Sequence, residues 1–481
     1  MHWIDYLIFI VYFLGMAAFG YYFYRKNKDT EDYYVGGRSM NSIHIGLSVV
    51  ATDVGGGFSI GLGGLGFTMG ISGSWMLFTG LIGAWLAAVL LIPKVYPHSR
   101  QFNFLTFPQF LENVYGARVA LLAGIISAIG YTGFTSSQLL AGAKLASATF
   151  IELDLTTALI IMGVIAVGYT VIGGLKAVIY TDTVQWIILL AGLILIGIPL
   201  GYQYIGGWES IKSTLPSEML RLDNIEWVTF FNWLITIVPI WFIGMTLYQR
   251  IYASKSEKSA KRAWYIAGIF EYPFMAFMGV VLGLFARVAV EQGMFSYAGY
   301  DSAGSMDAEM GLPMLLRTIL PAGLMGLMLS AYFSAIMSTA DSCLMAASGN
   351  VVTDVLEKVA GRRMPQDGNL NFSQWITFGI GAFALILALN MQNVLELMLL
   401  SYAFMVSGLF VPTMAAIFLK RTSGTAAFWS MLLGGSVTTL LIVTKLELPM
   451  GLDANAAGIL LSLMVFGLLN FVFRTKREIH E

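Results

Sequence analysis

Thirteen apolar runs of roughly twenty residues fill most of this chain, at 4–24, 43–69, 73–93, 117–149, 154–173, 178–202, 226–249, 263–288, 317–348, 372–390, 393–419, 425–444 and 455–473. Each is long enough to cross a bilayer as a helix. The chain is 57% hydrophobic and 11% charged, which excludes a soluble domain. The expected fold is an all-α polytopic membrane protein with about thirteen transmembrane helices in a single domain over 1–481. An odd number of spans puts the two termini on opposite sides of the bilayer.

Lys and Arg in the connections set the orientation. One set of loops carries 21 of them, in groups such as Arg25/Lys26/Lys28/Arg38, Arg250/Lys255/Lys258/Lys261/Arg262 and Arg474/Lys476/Arg477. The other set carries five: Lys212, Arg221, Arg287, Arg317 and Lys445. The richer set reads as cytoplasmic, with the N-terminus outside and the C-terminus inside. Asp5 at the start of the first run and three cations after it reverse the charge order of a cleavable signal peptide. A net charge of −1 leaves no basic patch for nucleic acid. The single cysteine, Cys343, excludes an internal disulfide and a cysteine-based zinc site. His2, His44, His98 and His480 sit near segment ends, so no histidine relay or metal site is indicated. No His-Glu-X-X-His motif suggests an enzyme.

The second run contains Ala51-Thr52-Asp53-Val54-Gly55-Gly56-Gly57, followed by Gly61, Gly63, Gly64 and Gly66. A charge is costly at membrane depth, and each glycine weakens a helix by roughly 1 kcal/mol relative to alanine. The helix is expected to break there. Freed carbonyls are tolerated in hydrocarbon only where they line a cavity or are buried in protein. Broken helices at the midplane are a common way for transporters to build cation sites. The bland alternative is a glycine seam for close helix packing. The seventh run carries Pro239 and Gly244 and opens a second group of five helices as the second run opens the first. Five helices per unit force the two units to be inverted relative to each other. The core units are about 43–202 and 226–419. The helices at 4–24, 425–444 and 455–473 lie outside them.

Ser338, Asp341 and Ser342 share one face of the ninth helix by their spacing, and a carboxylate there needs a partner. Asp182, early in the sixth helix, reads either as an interfacial cap or as part of a site. Lys144 either snorkels or pairs with a carboxylate. Glu271, before Tyr272-Pro273, is a further acid within a span.

Several of these stretches together resemble the sodium:solute symporters. Ala51-Thr52-Asp53-Val54-Gly55-Gly56 looks like that family's small-Ser/Thr-Asp-X-Ser/Gly-Gly segment, near the proline-transporter branch. Ser338-Thr339-Ala340-Asp341-Ser342 resembles its sodium-site helix, in a variant shared with the choline-transporter branch. Tyr33 to Ser39, Ser136 to Lys144, Gly173 to Gln185, and Tyr248-Gln249-Arg250 with Ala253-Ser254-Lys255 also match, so the resemblance covers nearly the whole chain.

The resemblance implies a leucine-transporter-like 5+5 inverted-repeat fold and sodium-driven import of a small organic solute by alternating access, in the inner membrane of a bacterium. It implies a sodium ion held by the carbonyls of Ala51, Val54 and Ala335 and the hydroxyls of Ser338 and Thr339. It places a second cation by Asp182, Ser338, Asp341 and Ser342. Asp341 departs from the family's hydroxyl pattern, so that pocket takes sodium or shares a proton between two carboxylates. The solute would sit near Asp53, Gly55 and Phe58 and face Tyr131, Ile237, Trp241 and Phe404. Ile237 and Phe404 stand where sugar transporters carry amides, which disfavours a polyol. An amino acid, a carboxylate or an alkylammonium compound remains. A proton-driven symporter and a transporter-like membrane sensor are the rival readings.

Overall fold

The computed structural model describes residues 2–24, 35–53, 55–150, 152–170, 175–360, 366–473 and 475–476. A helix falls on every one of the thirteen apolar runs. The first is α1 (Trp3–Tyr24). The second is split into α2 (Ser42–Asp53) and α3 (Gly55–Met69). The third starts as α4 (Trp75–Leu86) and continues through a widened turn into α5 (Ile92–Phe102). A short α6 (Phe107–Tyr115) leads to α7 (Ala117–Thr149), α8 (Leu155–Thr170) and α9 (Leu175–Gly192), which runs on into α10 (Ile198–Tyr204). After α11 (Gly207–Thr214), the seventh run is split into α12 (Trp227–Ile243) and α13 (Met245–Ala253), bent by 42°. Then follow α14 (Glu257–Ile269), α15 (Ala276–Glu291), α16 (Gly311–Ile319), α17 (Leu324–Gly349), α18 (Gln366–Ala388), α19 (Val394–Phe418), α20 (Gly424–Thr444) and α21 (Ala454–Phe473). A two-residue ladder pairs β1 (Arg421–Thr422) with β2 (Thr475–Lys476) antiparallel.

Among the described residues, eight continuous helical segments have the length and apolarity to cross a bilayer, and the bent α12–α13 pair adds a ninth. One of the eight, Phe58–Phe102, has 45 residues. At 1.5 Å per residue it is about 68 Å long, more than twice a bilayer core. It is interrupted at Gly70, where φ is +75°. The ninth span starts later than the apolar pattern suggested: α16 ends at Ile319 and α17 begins at Leu324. Pro321 removes an amide donor, and Gly323 takes φ +89° between them.

The packing partners obey a two-fold exchange. The α3 half of span two packs on α15 and the α2 half on α14, both in span eight, while α12 of span seven packs on α4 of span three. Span four (α7) packs on span eleven (α19), and correspondingly span nine (α17) packs on span six (α9). Spans four and nine also pack on each other. Exchanging two with seven, three with eight, four with nine and six with eleven maps each contact onto another, or onto itself. The fold is therefore a leucine-transporter-like 5+5 inverted repeat. Helices α20 and α21 pack on α19 and on each other, and α1 lies against α9 and α17.

Two features lock the core. Glycines let α3 and α15 approach backbone to backbone: a side chain on Gly66 would overlap the Val280 carbonyl, and one on Gly283 the Gly63 carbonyl. The glycines after the break thus form a packing seam, while the break itself is a separate feature. Lys144 does not snorkel. It is fully buried on α7, with its Nζ 2.5 Å from Asp307 Oδ2 and 2.6 Å from Glu309 Oε2. Glu309 in turn accepts the Val394 and Leu395 amides at 2.9 and 3.0 Å, satisfying the first turn of α19.

Candidate ion and solute site

Helix α2 stops at Asp53 and α3 restarts at Gly55, whose φ of +55° is left-handed. Glycine enters that region without a steric penalty. There is also no room for a side chain: a methyl carbon on Gly55 would lie 2.9 Å from Thr339 Oγ1 and 3.3 Å from Gln138 Oε1. Thr339, fully buried on α17, has its hydroxyl 2.9 Å from the Ala51 carbonyl oxygen and 3.0 Å from that of Ala335. Two carbonyls and a hydroxyl therefore converge at the break, facing the glycine. These are uncharged hard oxygens, the ligand type that unwound transporter helices offer to sodium. Of the other sequence-derived ligands, Val54 lies outside the described residues. The Ser338 hydroxyl donates to Asp182 Oδ1. The Asp53 side chain also lies outside the described residues, although its backbone ends α2.

A second cluster lies one turn along α17. Asp182, fully buried two turns into α9, accepts from Ser48 Oγ of α2 as well as from Ser338. Those partners make it a tertiary linker, not an interfacial cap. Arg250 enters this cluster from α13. By sequence it belonged with the loop cations, yet it is fully buried. Its Nη2 lies 3.7 Å from Asp182 Oδ2 and donates to Thr52 Oγ1 at 2.5 Å and Ser342 Oγ at 3.1 Å. Nε donates to Ser48 Oγ at 3.1 Å, and Nη1 to the Thr246 carbonyl at 3.2 Å. Burial of the guanidinium is tolerated because a carboxylate and four oxygen acceptors surround it. Asp341, also buried, accepts from Thr170 of α8.

The solute candidates divide. Tyr131 of α7 reaches the second break: its hydroxyl lies 3.0 Å from Thr246 Oγ1 and accepts the Thr246 amide at 3.2 Å, just past Gly244. Phe58 and Ile237 are buried. The Trp241 ring lies against Gly83 of α4 and meets Trp264 of α14 edge-on at 6.3 Å. Phe404 is half-buried and faces Gly435 of the peripheral α20. Two aromatics not singled out by sequence extend from Tyr131. Phe134, one helical turn along, is 6.5 Å from it, and Phe134 meets Tyr402 of α19 edge-on at 5.2 Å. The i,i+3 spacing from Tyr131 to Phe134 was the available signal.

Two inverted groups of five helices, each opened by a broken helix, with two carbonyls and a buried hydroxyl converging at the first break, define a secondary transporter. The family model for the sodium:solute symporter family matches residues 33–434. The chain is 31% identical over 438 residues to the high-affinity proline transporter PutP of Bacillus subtilis, covering 88% of this chain and 89% of that protein. It is 27% identical to the sodium/proline symporter of Escherichia coli (82% of this chain, 79% of that protein) and 26% identical to sodium/glucose cotransporter 1 of Oryctolagus cuniculus (92% and 72%). Among solved structures, a Na+-coupled sialic acid symporter in a substrate-bound, outward-open state superposes with a TM-score of 0.80 over 99% of both chains at 20% identity. The chain belongs to the sodium:solute symporter family. It is an integral membrane protein that couples solute transport to sodium, and sodium is the co-transported ion.

Proposed function

We propose that this chain imports a small amino acid, with proline the first to test, together with sodium held at the break in span two. The ion is bound by the carbonyls of Ala51, Val54 and Ala335 and the hydroxyl of Thr339, with Ser338 completing the set when its hydroxyl turns from Asp182. The observation carrying this reading is the approach of Thr339 to the Ala51 and Ala335 carbonyls opposite Gly55. The relatives named for proline transport favour that solute class. The solute lies beside the break, between Asp53, Gly55 and Phe58 on one side and Tyr131 and Ile237 on the other. Trp241 and Phe404 shape it through the helices they pack against. The repeat units at about 43–202 and 226–419 move against each other to alternate access, within thirteen spans. The N-terminus is outside and the C-terminus in the cytoplasm of a bacterium.

The test is uptake of labelled proline into proteoliposomes, with an inward sodium gradient set against equimolar potassium. Accumulation above equilibrium in sodium alone is the expected result. Binding of proline with no accumulation would point to a sensor. Accumulation driven by a proton gradient alone would refute sodium coupling at the break.

A further inference from the structure

Between α1, α8 and α17 lies a cavity of about 590 Å³, lined by none of the ion-site or solute-site residues. Its size falls within the roughly 300–1,000 Å³ typical of ligand pockets. Phe9 and Phe13 of α1 line it on one side, and Phe333 and Met337 of α17 line it as well. Asp5 holds α1 in place by accepting the Gly323 and Gly326 amides at the start of α17, and Phe9 meets Phe333 edge-on at 5.7 Å. Helix α8 contributes Ala158, Ile161, Met162 and Ile165, which recur at i, i+3, i+4 and i+7 and so share one face. Ile161 and Ile165 are 44% and 46% exposed, so the cavity opens sideways through the surface of the bundle, within a span. The medium there is hydrocarbon.

Apolarity, depth and charge together specify an occupant. Every lining residue except Glu152 is apolar. From Leu155 to Ile165, α8 rises about 15 Å, half of a bilayer core of about 30 Å. The cavity therefore matches the depth of one leaflet, and its headgroup end is the turn before α8. The one charge in the lining, Glu152, stands at that end and is exposed. At the same end of α7, Arg317 Nη1 donates to the Ala148 carbonyl at 3.4 Å.

We propose that this cavity binds one acyl chain of a membrane phospholipid whose headgroup carries a primary amine, with the ammonium on Glu152 and the phosphate toward Arg317. A primary ammonium has three donors for a carboxylate, as in lysine, and a trimethylated one has none. Met337 lies about 200° around α17 from Thr339. A chain in the cavity therefore supports the back of the helix whose front carries the Thr339 hydroxyl. The site does not depend on which ion or solute is carried.

The experiment is photolabelling of the purified protein in phosphatidylcholine nanodiscs, with labelled residues mapped by mass spectrometry. The probes are phosphatidylethanolamine and phosphatidylcholine carrying the same diazirine-bearing chain. The ethanolamine probe is expected to label wild type saturably at 158–165 and 333–337, and excess unlabelled phosphatidylethanolamine should compete it away. Glu152→Gln removes a charged hydrogen-bond partner and should weaken ethanolamine labelling roughly tenfold. Ile161→Trp places an indole at the lateral opening, on a lipid-facing position that tolerates it, and should abolish labelling at both stretches. Equal labelling there by the two headgroups, unaffected by Glu152→Gln, would mean ordinary solvation by bulk lipid and overturn the proposal. Ethanolamine labelling that survives Ile161→Trp, or that falls elsewhere on the chain, would overturn it too.

Discussion

Replacing Lys144 by methionine should be among the most destabilising single changes in this protein. The Lys144 side chain is 1% exposed, and its ammonium serves Glu309, 8% exposed, and Asp307, 40% exposed. The Asp307 contact is screened by solvent and contributes little. The Glu309 contact is buried, and removing one partner of a buried pair typically costs about 3–5 kcal/mol. Glu309 keeps the Val394 and Leu395 amides in the variant, which offsets part of the loss, so the expected cost is about 3 kcal/mol, at the low end of that range. Glu309→Gln should cost less, about 1–3 kcal/mol, because a neutral amide oxygen still accepts from α19 while Lys144 retains Asp307. The double variant should cost less than the sum of the two, with a coupling of about 1–3 kcal/mol. The assay is denaturant unfolding in one detergent, followed by tryptophan fluorescence, for all four proteins. A wild-type midpoint for Lys144→Met, or strict additivity in the double variant, would refute the pairing.

Three further outcomes follow from particular contacts. Gly66→Val should abolish folded protein, since its side chain would overlap the Val280 carbonyl; a monodisperse, wild-type-stable variant on size exclusion would contradict the seam between α3 and α15. Asp5→Ala should cost about 1 kcal/mol, because Asp5 Oδ1 accepts the Gly323 and Gly326 amides at 2.7 and 2.9 Å and so caps the start of α17; melting identical to wild type would remove that role. Gly55→Ala should weaken sodium binding more than it lowers melting temperature, as its methyl enters the space in front of Thr339; unchanged sodium affinity would argue against an ion there.

The break in span two was legible because Asp53 and three glycines violate what a membrane helix tolerates, and local chemistry alone carries that signal. The inverted repeat was legible from helix parity and from Pro239 and Gly244. Long-range pairing was not. Nothing near Lys144 names Asp307 and Glu309, which stand more than 160 residues away in a connection between spans. Arg250 was misread for a related reason. A cation close to a span end, followed by Lys255 and Lys258, has the pattern of an interfacial loop, and only the packing of α2, α9 and α17 around it reveals a buried charge. Aromatic side chains carry the least information, since Trp241 and Tyr131 look alike in sequence. One lies on Gly83, and the other reaches the second break.

The most direct measurement of sodium at the break is thermal unfolding of the purified protein in ionic-strength-matched potassium buffers with rising sodium and no solute, for wild type and Thr339→Val. At about 100 times its dissociation constant an ion should stabilise the folded state by roughly 2.7 kcal/mol. A saturable, sodium-specific rise in melting temperature for wild type that Thr339→Val loses is the predicted result. No rise in wild type, or the same rise in both proteins, would contradict it.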